Sequence, residues 1–215
     1  MELPPPPNGD LIHHRSYDVH SYRLAADQMM LRGIVHDQKP PGIYFEGDPD
    51  PLSVHHMVVD LTLAFPTLEI VAVDVAMNVT PHLTCNRIEP DYQQLVGLSI
   101  SRGFSRKVKD LFGGPSGCTH IGALLQAMAP VAIQSMWSMN SLGGRSNESD
   151  PEADAHSKQQ AMAFNLNTCH IWAEDGEQMV SLRNGEALEV PVWAVDRLTA
   201  LGRDASEWGS PVTGD

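Results

Sequence analysis

The sequence predicts an α+β fold in which a mainly antiparallel sheet packs against a layer of helices. Apolar and polar residues alternate along much of the first half of the chain, which is typical of strands with one buried face. The apolar spacing becomes helical after Pro90, so the strands precede the helices along the chain. With 42% hydrophobic residues the chain can bury a core, which excludes global disorder.

The two predicted hairpins account for the first half of the chain. Residues 14–35 are strand-like and break near residues 25–27, which predicts two antiparallel strands. Residues 37–51 are rich in proline and glycine and predict a loop that is long enough to act as a lid. Alternating apolar residues over 57–65 and 71–79 predict two more strands, joined by a turn at Pro66.

Helices follow in the second half. Apolar residues at helical spacing occur over 92–96 and again over 108–112, and a longer helix is expected over 119–139, with Pro130 inside it. Residues 140–157 are rich in Gly, Ser, Asn and Asp and predict a mobile loop. Residues 164–172 and 178–182 resemble two short strands, and residues 193–201 resemble a helix.

Length and charge limit the kind of protein this is. The 215 residues allow one or two domains, and we expect a proline-rich extended leader over 1–12, a single domain over 13–205 and a tail over 206–215. A net charge of −13, with one short basic cluster over 102–109, argues against a nucleic-acid partner. No apolar stretch is long enough to span a membrane and no signal peptide is evident, so we expect a cytoplasmic protein without a membrane partner.

Histidine and cysteine side chains lie at the ends of the predicted elements. The chain has ten histidines and three cysteines, and the cysteines are interpreted as reduced thiols because their odd number does not suit a disulfide framework. Imidazole and thiolate are common zinc ligands and also pair in nucleophilic or acid–base chemistry. Neighbouring strand residues point to opposite faces, so only one of His55 and His56 is expected to enter a shared site.

The glycine-rich segment over 113–120 is the motif that most directly indicates a reactive site. It places Cys118 and His120 where a helix begins, and free amide groups and the positive end of a helix dipole would make such a thiol more reactive. The segment lacks the lysine of a phosphate-binding loop. The alternative interpretation is a helix-capping turn with a small buried thiol.

Several motifs, in order along the chain, resemble a bacterial family catalogued as domain of unknown function 2889. The matching residues are Cys85, Ile88, Pro90, Tyr92, Leu95, Val96, Gly97, Ile100, Gly103, Phe104, Gly113, Gly114, Gly117 to His120, and Thr168 to His170. The resemblance spans about residues 4–182 and includes His13 with Arg15 and Asp37 with Lys39. Two departures, His56 and Arg32 where acidic residues are common, suggest that the charge of the site differs from the family pattern.

The resemblance implies a lyase of aromatic-compound catabolism that works without a cofactor. Its substrate would be a lignin-derived phenolic dimer of the phenylcoumaran type, cleaved by acid–base chemistry to formaldehyde and a stilbene, and the enzyme is expected to be a homodimer. The expected catalytic residues are His55, His120, His170 and Tyr22. The expected substrate-binding residues are Arg23, Lys39, Cys118, Cys169, Trp137 and His56.

Two alternatives stay open beside the lyase. The first is hydrolysis assisted by zinc, which would be held by Cys118, His120, Cys169 and His55, although none of the usual short Cys or His spacings occurs among them. The second is a non-catalytic protein that binds a small molecule, in which these cysteines and histidines pack and cap secondary structure.

Overall fold

A computed structural model describes residues 6, 8–101, 103–142, 166–186 and 189–208 of the chain. The chain divides into two compact units, Met1–Gly143 and Gly144–Asp215, and each is described by itself. In the first unit, four antiparallel strands form one sheet in sequence order. They are β1 (His14–Ala25), β2 (Gln28–Lys39), β3 (Leu52–Ala64) and β4 (Glu69–Val79). Together with the helices that follow, this sheet confirms the α+β prediction.

Both predicted hairpins are confirmed, but the second strand is longer than expected. β2 continues to Lys39, so the segment predicted as a loop from residue 37 begins only after that residue. The physical reason is that the alternation of the strand continues past Val35, and Asp37 occupies the next inward position. The fully paired strand keeps the backbone hydrogen bonds of this segment satisfied.

One face of the sheet is the core of the first unit. Its inward residues are almost completely buried: Met29, Leu31, Val35, Met57, Val59, Leu61 and Leu63. Helix α2 (Thr119–Leu142), which contains Pro130 as predicted, packs on this face and contributes Leu124, Leu125 and Met128 to the same core. The approach is close at Gly33, where a Cβ atom would lie 2.6 Å from Met128 Sδ.

Short helical segments connect the sheet to α2. A 3₁₀ helix covers Cys85–Leu95, α1 covers Phe104–Phe112, and a second 3₁₀ helix covers Gly114–Ser116. The helical spacing predicted after Pro90 is therefore divided between a 3₁₀ segment and an α-helix. No helix in the described parts of the chain is long and apolar enough to cross a membrane.

The second unit is helical where it is described. It contains a 3₁₀ helix (His170–Trp172), α3 (Glu177–Arg183), α4 (Val192–Ala200) and a 3₁₀ helix (Ala205–Glu207). The helix predicted over 193–201 is confirmed, whereas the strands predicted over 164–172 and 178–182 are wrong where residues are described, because runs this short cannot separate strand from helical periodicity. Cys169 and His170 consequently do not lie on a strand.

Parts of three further predictions lie outside the described residues, and one of these is the predicted leader over 1–12, of which residues 1–5 and 7 are not described. The predicted mobile loop over 140–157 begins inside α2, and its residues 143–157 are not among those described. The predicted tail begins within the 3₁₀ helix Ala205–Glu207, and residues 209–215 are outside the described part.

Candidate functional site

A row of three polar residues crosses the buried face of the sheet near one end. Asp37 on β2 pairs in register with Arg15 on β1 and with His55 on β3. The β2–β3 pairing shifts register between Asp37 and Gln38, and such irregularities are frequent beside active sites. Asp37 is 1% exposed, and among the described residues it is the one buried side chain that carries a charge.

Arg15 holds the Asp37 carboxylate at both oxygens. Its Nε lies 2.5 Å from Oδ1 and its Nη2 lies 2.6 Å from Oδ2. This guanidinium holds the pKa of Asp37 well below its usual range and outweighs burial, which acts in the opposite direction. Asp37 is therefore ionised at neutral pH and acts only as a hydrogen-bond acceptor.

Two imidazoles converge on the same carboxylate oxygen. His55 Nδ1 lies 3.1 Å and His120 Nε2 lies 3.2 Å from Asp37 Oδ2, and the two ring centroids are 3.8 Å apart. His13, just before β1, places its Nε2 3.5 Å from Oδ1. His120 reaches the carboxylate from the first turn of α2, so the packing of that helix on the sheet completes the cluster.

The ionised carboxylate determines which nitrogen of each ring carries hydrogen. Since Asp37 only accepts, His55 donates through Nδ1 and His120 donates through Nε2. In the described parts of the chain, His55 Nε2 has no hydrogen-bond partner, while His120 Nδ1 faces Cys118 Sγ at 3.5 Å. Burial, followed by the nearby His55 and Arg15, lowers the pKa of His120, which favours its neutral form.

Tyr92 and Gly117 fix the backbone that carries Cys118. The Cys118 amide donates to the Tyr92 hydroxyl at 3.0 Å. Tyr92 is fully buried and its ring packs 4.6 Å from that of Phe112, and burial raises its pKa to about 12, so the hydroxyl stays neutral. A Cβ atom on Gly117 would lie 2.4 Å from the Phe112 carbonyl oxygen, so only glycine allows this close approach.

The same cluster contains a set of metal-ligand atoms. Among the described residues, one atom each from Asp37, His55 and His120 lies within 4.8 Å of the other two. A carboxylate with two imidazoles suits zinc and other first-row divalent ions. Arg15, however, already occupies both oxygens of the carboxylate, so an ion at Oδ2 would sit close to a guanidinium charge.

The structure brings some of the predicted site residues together and leaves others apart. His55, His120 and Cys118 meet at Asp37, and Lys39 lies two residues beyond it on β2, with its Nζ 5.7 Å from the centroid of the Tyr44 ring. His56 instead packs against His36, with ring centroids 5.0 Å apart.

Tyr22, Arg23 and Trp137 are placed away from the cluster. Arg23 follows Arg15 by eight residues on β1, roughly 26 Å at the rise of a strand, and Tyr22 is its neighbour. Trp137 follows His120 by 17 residues on α2, roughly 25 Å along the helix axis. Cys169 and His170 belong to the second unit, where Cys169 is exposed.

Sequence reasoning did not identify Asp37, Arg15 and His13 as site residues from their own pattern. The loop predicted from residue 37 excludes Asp37 from the cross-strand row. The available signal was the alternation itself, which extends from Met29 through Val35 to Asp37 and places a carboxylate at an apolar position. A buried charge requires partners of opposite charge or hydrogen-bond donors. For Asp37 these partners are the Arg15 guanidinium and the imidazoles around it.

The comparisons with known proteins give a family. No curated protein and no solved structure is significantly similar to the chain. The family model described as "Protein of unknown function (DUF2889)" matches residues 13–134, which include His13, Arg15, Asp37, His55 and His120. Because this match covers more than half of the chain, the protein belongs to the DUF2889 family.

Proposed function

We propose that the protein is a carbon–carbon lyase that acts on a phenylcoumaran-type phenolic dimer and releases formaldehyde by acid–base chemistry. One observation carries the proposal: His55 is held by a buried, ionised carboxylate through Nδ1, while its Nε2 is left without a partner among the described residues. An imidazole oriented in this way presents Nε2 as the acceptor of a proton, which is the geometry of a general base. The His55 side chain is 20% exposed, so its ring is accessible to a small molecule.

The proposed reaction assigns His55 and Arg15 separate tasks. His55 Nε2 takes the proton of a primary alcohol, and the oxygen electron pair forms the carbonyl of formaldehyde as the adjacent C–C bond breaks. The released electron pair forms the stilbene double bond and expels the phenoxide of the furan ring. The phenoxide then receives the proton held by His55, so no electrons are gained or lost. Arg15, which is 36% exposed, is the cation available to the developing phenoxide.

Two further features support the absence of a metal in this proposal. Arg15 satisfies the Asp37 carboxylate at both oxygens, and the hydrogen bonds from both imidazoles add to that satisfaction. The proposed reaction is redox-neutral, so it requires no redox cofactor. In this proposal the site works as a hydrogen-bonded cluster with the Asp37 carboxylate at its centre.

Formaldehyde release from a phenylcoumaran with a free primary alcohol tests the proposal. We expect the full chain to release formaldehyde and His55→Ala to lose activity by about 10²-fold or more, because general-base catalysis contributes about that much. His120→Ala should also be inactive, because His120 shares Asp37 Oδ2 with His55 and its ring packs 3.8 Å from the His55 ring, which positions that base. His36→Ala is the matched control, since His36 neighbours Asp37 but bonds to Ser53. An inactive wild-type protein, or a fully active His55→Ala variant, would contradict the proposal.

Metal-assisted hydrolysis is the second candidate, and the ligand set of Asp37, His55 and His120 favours it. This set differs from the zinc ligands expected from sequence, because Asp37 takes the place of both cysteines. Metal analysis of the untagged protein separates the two candidates. One zinc per chain that is lost in Asp37→Asn would favour the hydrolase, whereas formaldehyde release by metal-free protein would favour the lyase.

A further inference from the structure

Cys118, His120 and Asp37 form a continuous chain of contacts from a thiol to a carboxylate. Cys118 Sγ lies 3.5 Å from His120 Nδ1, and His120 Nε2 lies 3.2 Å from Asp37 Oδ2. The order thiol, imidazole, carboxylate is the one in which a base activates a nucleophile while a third group orients that base. The proposed lyase reaction does not use this thiol.

The direction of the hydrogen bonds suits proton removal from the thiol. Because ionised Asp37 accepts from His120 Nε2, the lone pair of the ring is on Nδ1 and faces the sulfur. Arg15 in turn fixes the Asp37 carboxylate at both oxygens. The carboxylate therefore holds the His120 ring in one orientation toward the sulfur. The ring nitrogen that faces the sulfur is therefore a hydrogen-bond acceptor held in a fixed position.

Two features of the backbone add to this arrangement. Cys118 directly precedes the 24-residue helix α2, whose first amide groups favour negative charge at that end. The Cys118 amide is fixed on the buried Tyr92 hydroxyl, which holds the residue in place. In the described parts of the chain, the other two cysteines lack such a neighbour: neither Cys85 nor Cys169 has a histidine nitrogen within hydrogen-bonding distance of its sulfur.

We propose that Cys118 is an activated nucleophile that forms a reversible covalent adduct with the carbonyl carbon of an aldehyde. The sulfur adds to the carbonyl carbon, and the electron pair of the C=O bond moves to the oxygen. The thiol proton passes to His120 Nδ1 and then to that oxygen, which gives a hemithioacetal without an oxidant or a leaving group. The activation of the thiol stands on the contacts of Cys118, whereas the choice of an aldehyde rests on the proposed lyase, whose product is an aldehyde.

The rate of alkylation by iodoacetamide, resolved by peptide mass spectrometry on the folded full chain, tests the activation. Cys169 is exposed and Cys118 is partly buried, so accessibility alone predicts that Cys169 reacts faster. We expect the opposite order, and we expect His120→Gln to slow Cys118 about tenfold while Cys169 keeps its rate. In urea, where the chain is unfolded, the three cysteines should be alkylated at similar rates. Circular dichroism of His120→Gln verifies that the variant is folded.

Propanal tests the class of electrophile on the same sample. We expect it to slow alkylation of Cys118 but not of Cys169, and we expect removal of propanal by gel filtration to restore the rate. Faster alkylation of Cys169 than of Cys118, or an unchanged Cys118 rate in folded His120→Gln, would overturn the activated thiol. Equal effects of propanal on both cysteines, or none on Cys118, would overturn the aldehyde adduct. None of these outcomes requires formaldehyde release, so a failure here is separate from a failure of the lyase.

Discussion

A single carboxylate gives two neighbouring histidines different chemistry. His55 and His120 donate to the same oxygen of Asp37, but they do so through different ring nitrogens. The acceptor nitrogen of His55 is consequently open, whereas that of His120 faces a thiol. The His55 ring is thus placed to act as a base and the His120 ring to accept from a thiol, although the two ring centroids are only 3.8 Å apart.

Asp37→Asn tests the importance of this carboxylate at the residue scale. The amide cannot accept from Arg15 and both imidazoles as an ionised carboxylate does, so we expect the free energy of unfolding to fall by about 2 kcal/mol. Asp60→Asn is the matched control, because Asp60 also binds an arginine, Arg32, at both oxygens but in a more exposed pair. That variant should lose no more than about 1 kcal/mol in urea unfolding. Equal losses would contradict a special role for Asp37.

The lowered pKa of His120 predicts a dependence of stability on pH. The unfolded chain binds the proton at an ordinary histidine pKa of 6.5, whereas the folded protein binds it less tightly. The contribution of His120 is therefore complete above that pH and is lost as the pH falls through the lowered pKa of the folded protein. We expect the urea concentration at the midpoint of unfolding to be lower at about pH 5 than at about pH 7.5. The difference between the two pH values should be smaller for His120→Gln than for the wild-type protein. An equal fall in both proteins would contradict the prediction.

At the scale of elements, the site depends on the closeness of α2 to the sheet. His120 meets Asp37 only because α2 lies directly on β2, and Gly33 permits that approach. A Cβ atom at Gly33 would lie 2.6 Å from Met128 Sδ and 3.0 Å from Leu124 Cδ1. Both side chains would have to move, and the helix that carries His120 would move with them.

Gly33→Ala measures the cost of that movement. We expect a loss of about 1–3 kcal/mol in the free energy of unfolding, because overpacked cores lose about this much. Gly122→Ala is the control on α2 itself: its Cβ would meet no atom within 4 Å, and alanine is the better helix former, so we expect a gain of up to about 1 kcal/mol. Thermal unfolding monitored by circular dichroism measures both. A neutral Gly33→Ala variant would show that Met128 adapts without cost.

Strands with one buried face were predictable from sequence, whereas the short elements of the second unit were not. The hairpins follow from an alternation that repeats over many residues, and α2 follows from a long apolar stripe. Residues 178–182 form part of α3 instead of a strand, because five residues fit either period. His55, His120 and Cys118 were identified by residue type, but their meeting point at Asp37 required the register of three strands.

At the scale of the whole molecule, the described residues of the main apolar core all belong to the first unit. The main cluster of buried apolar residues runs from Met29 to Met139 and lies entirely within Met1–Gly143. Buried residues of the second unit, such as Met179 and Leu198, lie outside that cluster. Asp37 and the residues that bind its carboxylate, including Arg15 and His120, belong to the first unit as well.

This division predicts that residues 1–143 fold without the rest of the chain. We expect the fragment to be monodisperse, to unfold cooperatively, and to show the wild-type order of alkylation between its two cysteines, with Cys118 faster than Cys85. The physical reason is that both the sheet–helix core and the contacts of Asp37 are formed within it. Circular dichroism, urea unfolding and peptide mass spectrometry check these expectations. A fragment that is unfolded, or folded with equal reactivity at both cysteines, would contradict this prediction.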